Sequence, residues 1–131
     1  MPYRLIVAGS RSISDYGTVA HAIERSKLNP DLIVSGGAEG VDMCGEQYGK
    51  ENGLPVHILP AKWDEHGKSA GAIRNEKMAK YADALVAVWD GSSSGTRHMI
   101  EEANKKGLPV LVYLTDEDRY RANEALRQYH E

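Results

Sequence analysis

The sequence predicts an α/β fold, an open parallel sheet of about five strands with helices on both faces. Two observations carry this. Five short apolar runs, Tyr3–Ala8, Asp31–Val34, Pro55–Leu59, Ala84–Trp89 and Pro109–Leu114, alternate with longer stretches of helical periodicity. Most of the runs are rich in Val, Ile and Leu without strict polar alternation, the pattern of strands buried on both faces. A strand–helix order repeated along a chain implies right-handed crossovers and therefore parallel neighbours.

The elements follow in order. Tyr16, Val19 and Ile23 recur at the spacing of one helix face, as do Val41, Cys44 and Tyr48, and later Met99, Ile100 and Ala103. Gly53 and Gly107 each stand just before a Leu-Pro-Val strand entry, where a glycine closing a helix belongs. The shared Gly-Leu-Pro-Val at 53–56 and 107–110 reads as one helix-to-strand turn used twice. Pro60 to Ser69 reads as a long irregular loop, and such loops in compact domains often act as lids. Asp116 to Glu131 is charged and reads as a C-terminal helix. No linker divides the 131 residues, so 1–131 reads as a single domain large enough to bury a core.

Composition excludes several classes. A net charge of −3 argues against a protein that coats nucleic acid by charge alone. The single cysteine, Cys44, has no partner for an intramolecular disulfide, and no Cys-x-x-Cys pattern exists. Its place on an apolar helix face predicts a buried, inert thiol, and a reducing, cytoplasmic compartment fits. The five histidines show no metal-ligand spacing, so no metal is predicted. No apolar run approaches membrane-spanning length, and Leu5–Ala8 runs straight into Gly9 rather than into a signal peptide's apolar region.

The functional signal lies in three turns. The first strand ends in Gly9-Ser10-Arg11, the second in Ser35-Gly36-Gly37-Ala38-Glu39-Gly40, the fourth in Asp90-Gly91-Ser92-Ser93-Ser94-Gly95-Thr96. In a parallel sheet all three must lie along the carboxyl edge, where open α/β sheets bind ligands. Glycine lets backbone N–H groups approach an anion without a Cβ in the way, and a helix N-terminus adds unpaired donors and partial positive charge. Three such turns on one edge predict a phosphate-holding site. None ends in Gly-Lys-Ser/Thr, and no Gly-x-Gly-x-x-Gly follows the first strand. Walker-type triphosphate hydrolysis and ordinary dinucleotide dehydrogenase chemistry are therefore not expected, and no cofactor is predicted.

Arg11 and Arg74 are the charged candidates. Arg74 stands near a helix start, mildly unfavourable for the helix dipole, and its planar guanidinium suits bidentate phosphate contact. Asn75 fits a ribose or base contact, or a cap. In the predicted loop, Trp63 suits stacking on a base and Lys68 reaching a phosphate, with an anchoring role for Trp63 equally open. Trp89 reads as core. Asp42 lies in the first turn of a helix, where the dipole stabilises a carboxylate, and is a candidate ligand contact as well. Asp83 reads as a cap before the fourth strand.

The series Ser35-Gly36-Gly37-Ala38-Glu39-Gly40-Val41-Asp42, Ala70-Gly71-Ala72-Ile73-Arg74-Asn75-Glu76-Lys77-Met78, Ala82-Asp83 and Gly91–Thr96 resembles the SLOG superfamily. It is most similar to the YspA, cpYpsA-related branch (the DUF2493 or YAcAr-like group), common in phages and bacteria. The resemblance runs from about Tyr3 to Tyr113. It implies a Rossmann-like sheet ordered 3-2-1-4-5, with the first strand at the switch point, and binding of nucleotides or nucleotide-derived, ADP-ribose-like molecules. It also implies a possible homodimer.

Two related families imply competing functions. LOG-type phosphoribohydrolases carry an Arg four residues before a Met and nine before an Asp, a spacing that Arg74, Met78 and Asp83 reproduce. Their Pro-Gly-Gly-x-Gly-Thr-x-x-Glu motif maps onto Gly91–Met99: Gly95 and Thr96 match, the glycine pair is Ser92-Ser93, and Met99 holds the place of the catalytic glutamate. Methionine supplies no carboxylate, and Glu101 and Glu102 point elsewhere around the helix. DprA-type DNA-processing proteins carry a Ser-Gly-x-Ala-x-Gly-Ile-Asp similar to Ser35–Asp42 and bind single-stranded DNA, but this chain lacks a basic, aromatic groove.

The expectation is thus a binding module rather than an enzyme. Gly9, Ser10, Arg11, Ser35, Gly36, Gly37, Asp42, Trp63, Lys68, Arg74, Asn75, Gly91, Ser92, Ser93, Ser94, Gly95 and Thr96 would hold a nucleotide-like small molecule to sense or sequester it. N-glycosidic hydrolysis of nucleoside monophosphates is the alternative, with Asp42 or Glu39 as the carboxylate, and single-stranded nucleic-acid binding a further one.

Overall fold

The computed structural model describes residues 2–130, so the two ends of the single-domain assignment, Met1 and Glu131, lie outside the described residues. The chain runs β1 (Arg4–Gly9), α1 (Tyr16–Ser26), β2 (Leu32–Ser35), α2 (Val41–Glu51), β3 (Val56–Ile58), α3 (Trp63–His66), a 3₁₀ turn (Gly67–Ser69), α4 (Ala70–Tyr81), β4 (Ala84–Trp89), α5 (Ser94–Lys105), β5 (Val110–Leu114), β6 (Arg119–Ala122) and α6 (Glu124–Tyr129). One sheet has the order β3-β2-β1-β4-β5-β6, with β1 to β5 all parallel and β6 antiparallel to β5.

Alternate residues of each central strand face opposite sides of the sheet, so a strand covered on both sides must be apolar throughout. Leu5, Val7, Val86 and Val88 join Val19, Ile23, Val41 and Cys44 of α1 and α2 on one face. Ile6, Ala8, Leu85 and Ala87 join Met78, Ala79, Met99 and Ala103 of α4 and α5 on the other. Burying each of the larger side chains contributes about 1.5–3 kcal/mol. Tyr16, Tyr48 and Ile100, the remaining members of the expected helix faces, pack half-buried against the same two clusters. Gly53 and Gly107 both take the left-handed conformation just past α2 and α5, as the C-terminal glycine expectation requires. Cys44 is buried, and burial pushes its thiol pKa up.

Three expectations need correction. Residues 60–69 are not one irregular loop: Glu65 and His66 donate their N–H groups to the carbonyl of Lys62, starting α3, and the 3₁₀ turn leads directly into α4. The tail is not simply helical. Arg119-Tyr120-Arg121-Ala122 alternates exposed and half-buried residues, forming β6 before the short α6. Tyr120 pairs with Tyr113 across the ladder and stacks on it, ring centroids 4.7 Å apart, and the Tyr113 hydroxyl donates to Asp118 in the intervening turn at 2.6 Å. The sheet therefore has a sixth strand. Asp83 caps no turn within its own segment: its carboxylate accepts the N–H of Arg4 at 2.9 Å, tying the entry of β4 to that of β1.

Candidate functional site

β1 is flanked by β2 and β4, and the crossovers leave it in opposite directions, which opens a crevice at the carboxyl edge. A cavity of about 90 Å³ lies there. Among the expected residues, Gly9, Arg11, Gly36, Asp42, Arg74, Asn75, Ser93, Gly95 and Thr96 line it. Ala8, Ala38, Met78 and Met99 complete the wall. Small apolar residues carry no chemical signal in a sequence, so Ala8 and Ala38 go unread there.

Arg74 is the main cation of the cavity. Its Nη1 donates to the carbonyl of Gly36 at 2.8 Å and its Nε to Asn75 Oδ1 at 2.9 Å. Asn75, itself buried, donates from Nδ2 to the carbonyl of Gly95 at 3.3 Å and contacts His98 Nδ1 at 3.2 Å. The guanidinium is thus held by the turn after β2 and by Asn75, which is itself bonded to the start of α5. Nη2 has no hydrogen bond, and Arg74 no ion pair, among the described residues. Burial lowers its pKa, with Asp42 opposing and Arg11 adding to the fall, though a guanidinium stays charged at neutral pH.

Gly36 owes its presence to this arrangement. A Cβ there would stand 2.8 Å from Arg74 Cζ and 2.9 Å from Asp42 Oδ2, so any side chain would displace both charged groups. Gly9 is kept for packing: a Cβ there would meet the Val88 carbonyl and come within 2.9 Å of Val41 Cβ.

Asp42 is 5% exposed and is the one acid lining the cavity among the described residues. Its Oδ2 accepts the N–H of Ala38 at 3.2 Å. Burial pushes its pKa up to about 6, outweighing the downward pull of the Ala38 N–H and of Arg74. Near neutrality the cavity therefore carries Arg11 and Arg74 against one reluctant carboxylate.

The serines divide by role. Ser10 Oγ accepts the N–H of Asp90 at 3.0 Å, and its carbonyl accepts those of Ile13 and Val41, so it ties three segments together from a buried position. Ser35, fully buried, donates to Glu46 at 2.6 Å and accepts from Gly37 N at 3.1 Å. In the turn after β4, Asp90 accepts the N–H groups of Ser92 and Ser93 at 2.8 and 2.9 Å, and those bonds hold its pKa down. This carboxylate occupies donors that an anion would otherwise use. Ser93 caps α5 by accepting from Thr96 N, and its hydroxyl meets that of Thr96 at 3.1 Å. The N–H groups of Ser94 and Gly95 make no hydrogen bond among the described residues, and a Cβ built on Gly95 meets nothing within 4 Å.

Eight expected residues stand outside the cavity wall, Ser10 and Ser35 among them. Ser94, Ser92, Gly37 and Gly91 border its turns, the last two in the left-handed conformation. Trp63 is half-exposed on α3, its ring beside Gly71, and Lys68 lies exposed on the 3₁₀ turn. Trp89, half-buried, donates from Nε1 to the carbonyl of Ser93 at 3.0 Å, bracing the turn. Met99 is buried against the cavity, an apolar wall where a carboxylate would be required for LOG-type chemistry. Glu102 is turned aside to Lys105 at 3.0 Å and His98 at 3.7 Å. Glu39 is exposed and not part of the wall.

No helix among the described residues is long and apolar enough to cross a membrane, and no cluster of metal-ligating side chains was found among them.

Known proteins match this architecture. The profile of the YspA, cpYpsA-related SLOG family matches residues 3–66, from β1 through α3. The Gene 61 protein of Mycobacterium phage D29 is 36% identical over 120 residues, covering 84% of this chain and 95% of that protein. The SPbeta prophage-derived protein YoqJ of Bacillus subtilis (strain 168) is 37% identical over 60 residues, covering 46% of this chain and 30% of its own. The crystal structure of DNA processing protein A (DprA) from Streptococcus pneumoniae superposes with a TM-score of 0.63 at 18% identity, covering 99% of this chain and 56% of that one, a likeness of fold alone. With a match along nearly the whole phage protein and the family profile over β1 to α3, the chain belongs to the YspA, cpYpsA-related SLOG family.

Proposed function

We propose that this protein binds a nucleotide or nucleotide-derived, ADP-ribose-like molecule, holding its phosphate between Arg74 and the start of α5, as a sensor or sequestering module. The observation that carries the reading is the Arg74 guanidinium, clamped by Gly36 and Asn75, with Nη2 unpartnered and no ion pair among the described residues. The N–H groups of Ser94 and Gly95 add donors at a helix N-terminus, and the space beside Gly95 is open. Membership of the SLOG family agrees with nucleotide-related binding or processing.

A second reading is favoured by one feature. Asp42 sits in the same cavity with a pKa of about 6, a value suited to donating a proton to a leaving base. N-glycosidic hydrolysis would then rest on Asp42 in place of the glutamate that Met99 replaces.

Thermal unfolding with nucleoside monophosphates, ADP-ribose, NAD and a short single-stranded DNA tests both, with released base assayed in the same samples. A true ligand at a hundred times its Kd adds about 2.7 kcal/mol of stability, and Arg74→Ala is expected to abolish that gain. If no nucleotide raises the melting temperature, the phosphate-site reading fails. Base release that Asp42→Asn abolishes while binding persists establishes the hydrolase.

A further inference from the structure

Arg74 lines a second recess beside the first. This one measures about 260 Å³ and lies between the end of β3, the chain leading into α3, and the outer face of α4. Ile58, Leu59, Pro60 and Ile73 give it apolar walls, and Lys62 and Lys77 stand on it. Ile58 is 51% exposed, an unusual position for an isoleucine at a sheet edge, and it also lies 3.1 Å from where a Cβ on Gly37 would be. The recess is therefore continuous with the turn after β2.

We propose that this recess seats the planar base of the bound nucleotide, with an oxo edge turned to Lys62 and Lys77. The inference rests on the nucleotide-binding reading and specifies its second half. Small-molecule sites usually begin at about 300 Å³, and the anion cavity of about 90 Å³ is too small for a whole nucleotide. The two spaces share the Arg74 side chain, so a ligand held by its phosphate on one side of the guanidinium has its remainder led to the other. Apolar walls suit a flat ring. The lining supplies ammonium and guanidinium donors, one imidazole from His66 that can donate or accept, and no carboxylate, so ring oxygens find cationic partners and exocyclic amino groups find no acidic one. Neither Lys62 nor Lys77 is engaged in an ion pair among the described residues.

Calorimetric titration with inosine 5′-monophosphate, adenosine 5′-monophosphate, ribose 5-phosphate and inorganic phosphate tests this. The inosine nucleotide is expected to bind at least about tenfold more tightly than ribose 5-phosphate, equivalent to about 1.4 kcal/mol, and more tightly than the adenosine nucleotide. Ile58→Ser with Ile73→Ser should erase the advantage over ribose 5-phosphate while leaving ribose 5-phosphate itself unchanged. Ile58→Ser alone, at a half-exposed position, keeps the test open if the double variant unfolds. Equal affinity for inosine 5′-monophosphate and ribose 5-phosphate overturns the base recess and leaves the phosphate site standing. Tighter binding of the adenosine nucleotide overturns the oxo assignment. If none of the four binds, the base recess is overturned, and the phosphate reading is decided separately by ADP-ribose and NAD.

Discussion

The turns after β2 and β4 are both rich in glycine and serine, yet their glycines answer to opposite demands. Gly36 has no room: Arg74 and Asp42 occupy the place its Cβ would take. Gly95 has nothing within 4 Å of the place its Cβ would take. One glycine lets two charged side chains of the protein come close, and the other leaves a space facing unpaired N–H groups. The first is accounted for by contacts within the protein, and the second is where the proposed ligand would lie. The serines differ in the same way, since Ser35 is spent on Glu46 and Gly37, whereas Ser93 caps a helix in which the N–H groups of Ser94 and Gly95 make no hydrogen bond among the described residues. The crowded turn positions the Arg74 guanidinium, and in the proposed reading the open turn receives the phosphate.

The largest expected effect tests the crowded side. Asp42 has a folded-state pKa of about 6 against 3.8 in the unfolded chain, so folding takes up a proton between those values. The stability this contributes is complete below about pH 3.8 and lost as pH rises through about 6. Asp42→Asn escapes that loss and keeps an acceptor for Ala38 N. The variant is expected to be more stable than the parent above pH 7, by about 2–3 kcal/mol, with the difference shrinking toward zero near pH 4. Denaturant titrations of both proteins across that range measure it. A constant difference would mean that Asp42 ionises as freely folded as unfolded. A stabilising substitution at a cavity acid is the mark of a residue kept for work rather than for the fold.

Next comes Gly36→Ala. Its methyl group meets the ends of the Arg74 and Asp42 side chains rather than backbone, so the fold should lose about 1 kcal/mol, the low end of the overpacking range. Binding should suffer more, because the guanidinium must leave the carbonyl of Gly36. About tenfold weaker nucleotide binding is expected, with a melting temperature lowered by only a few degrees. A variant that binds normally would show that the placement of Arg74 does not govern the site.

This contrast bears on what the sequence can disclose. Four of the five parallel strands, β1, β2, β4 and β5, were legible because strands buried on both faces must be apolar throughout, and Ala84–Trp89 falls where it was expected to the residue, whereas β3 at the sheet edge has His57 and Ile58 exposed. β6 was not, because an edge strand in a charged segment needs only Tyr120 and Ala122 turned inward, too short an alternation to stand out from Arg119 and Arg121. At the site, the glycines and Arg74 were legible as types. Their division of labour was not, because it depends on contacts between distant segments, such as Arg74 reaching Gly36 across 38 positions. Nor does Asp90 reveal in the sequence that its carboxylate turns back on Ser92 and Ser93, moving the free donors to Ser94 and Gly95. The second recess escaped notice because its walls are ordinary aliphatic side chains.

Gly95→Ala is the smallest change to the protein and the sharpest test of the comparison. The added methyl group meets nothing within 4 Å beyond its chain neighbours and its own helix backbone, and Gly95 lies in the first turn of α5, where alanine is the better helix former. Stability should therefore stay within about 0.5 kcal/mol of the parent. If a phosphate lies against the N–H of Gly95, the same methyl group enters its space and affinity for the nucleotide should fall by about tenfold or more. Unfolding without ligand and titration with ligand, on the same preparation, separate the two quantities. Unchanged binding would return Gly95 to an ordinary helix-start glycine and shift the phosphate toward Arg11 and the turn after β1. A loss of binding with the fold intact would identify the open turn as the surface that the ligand fills.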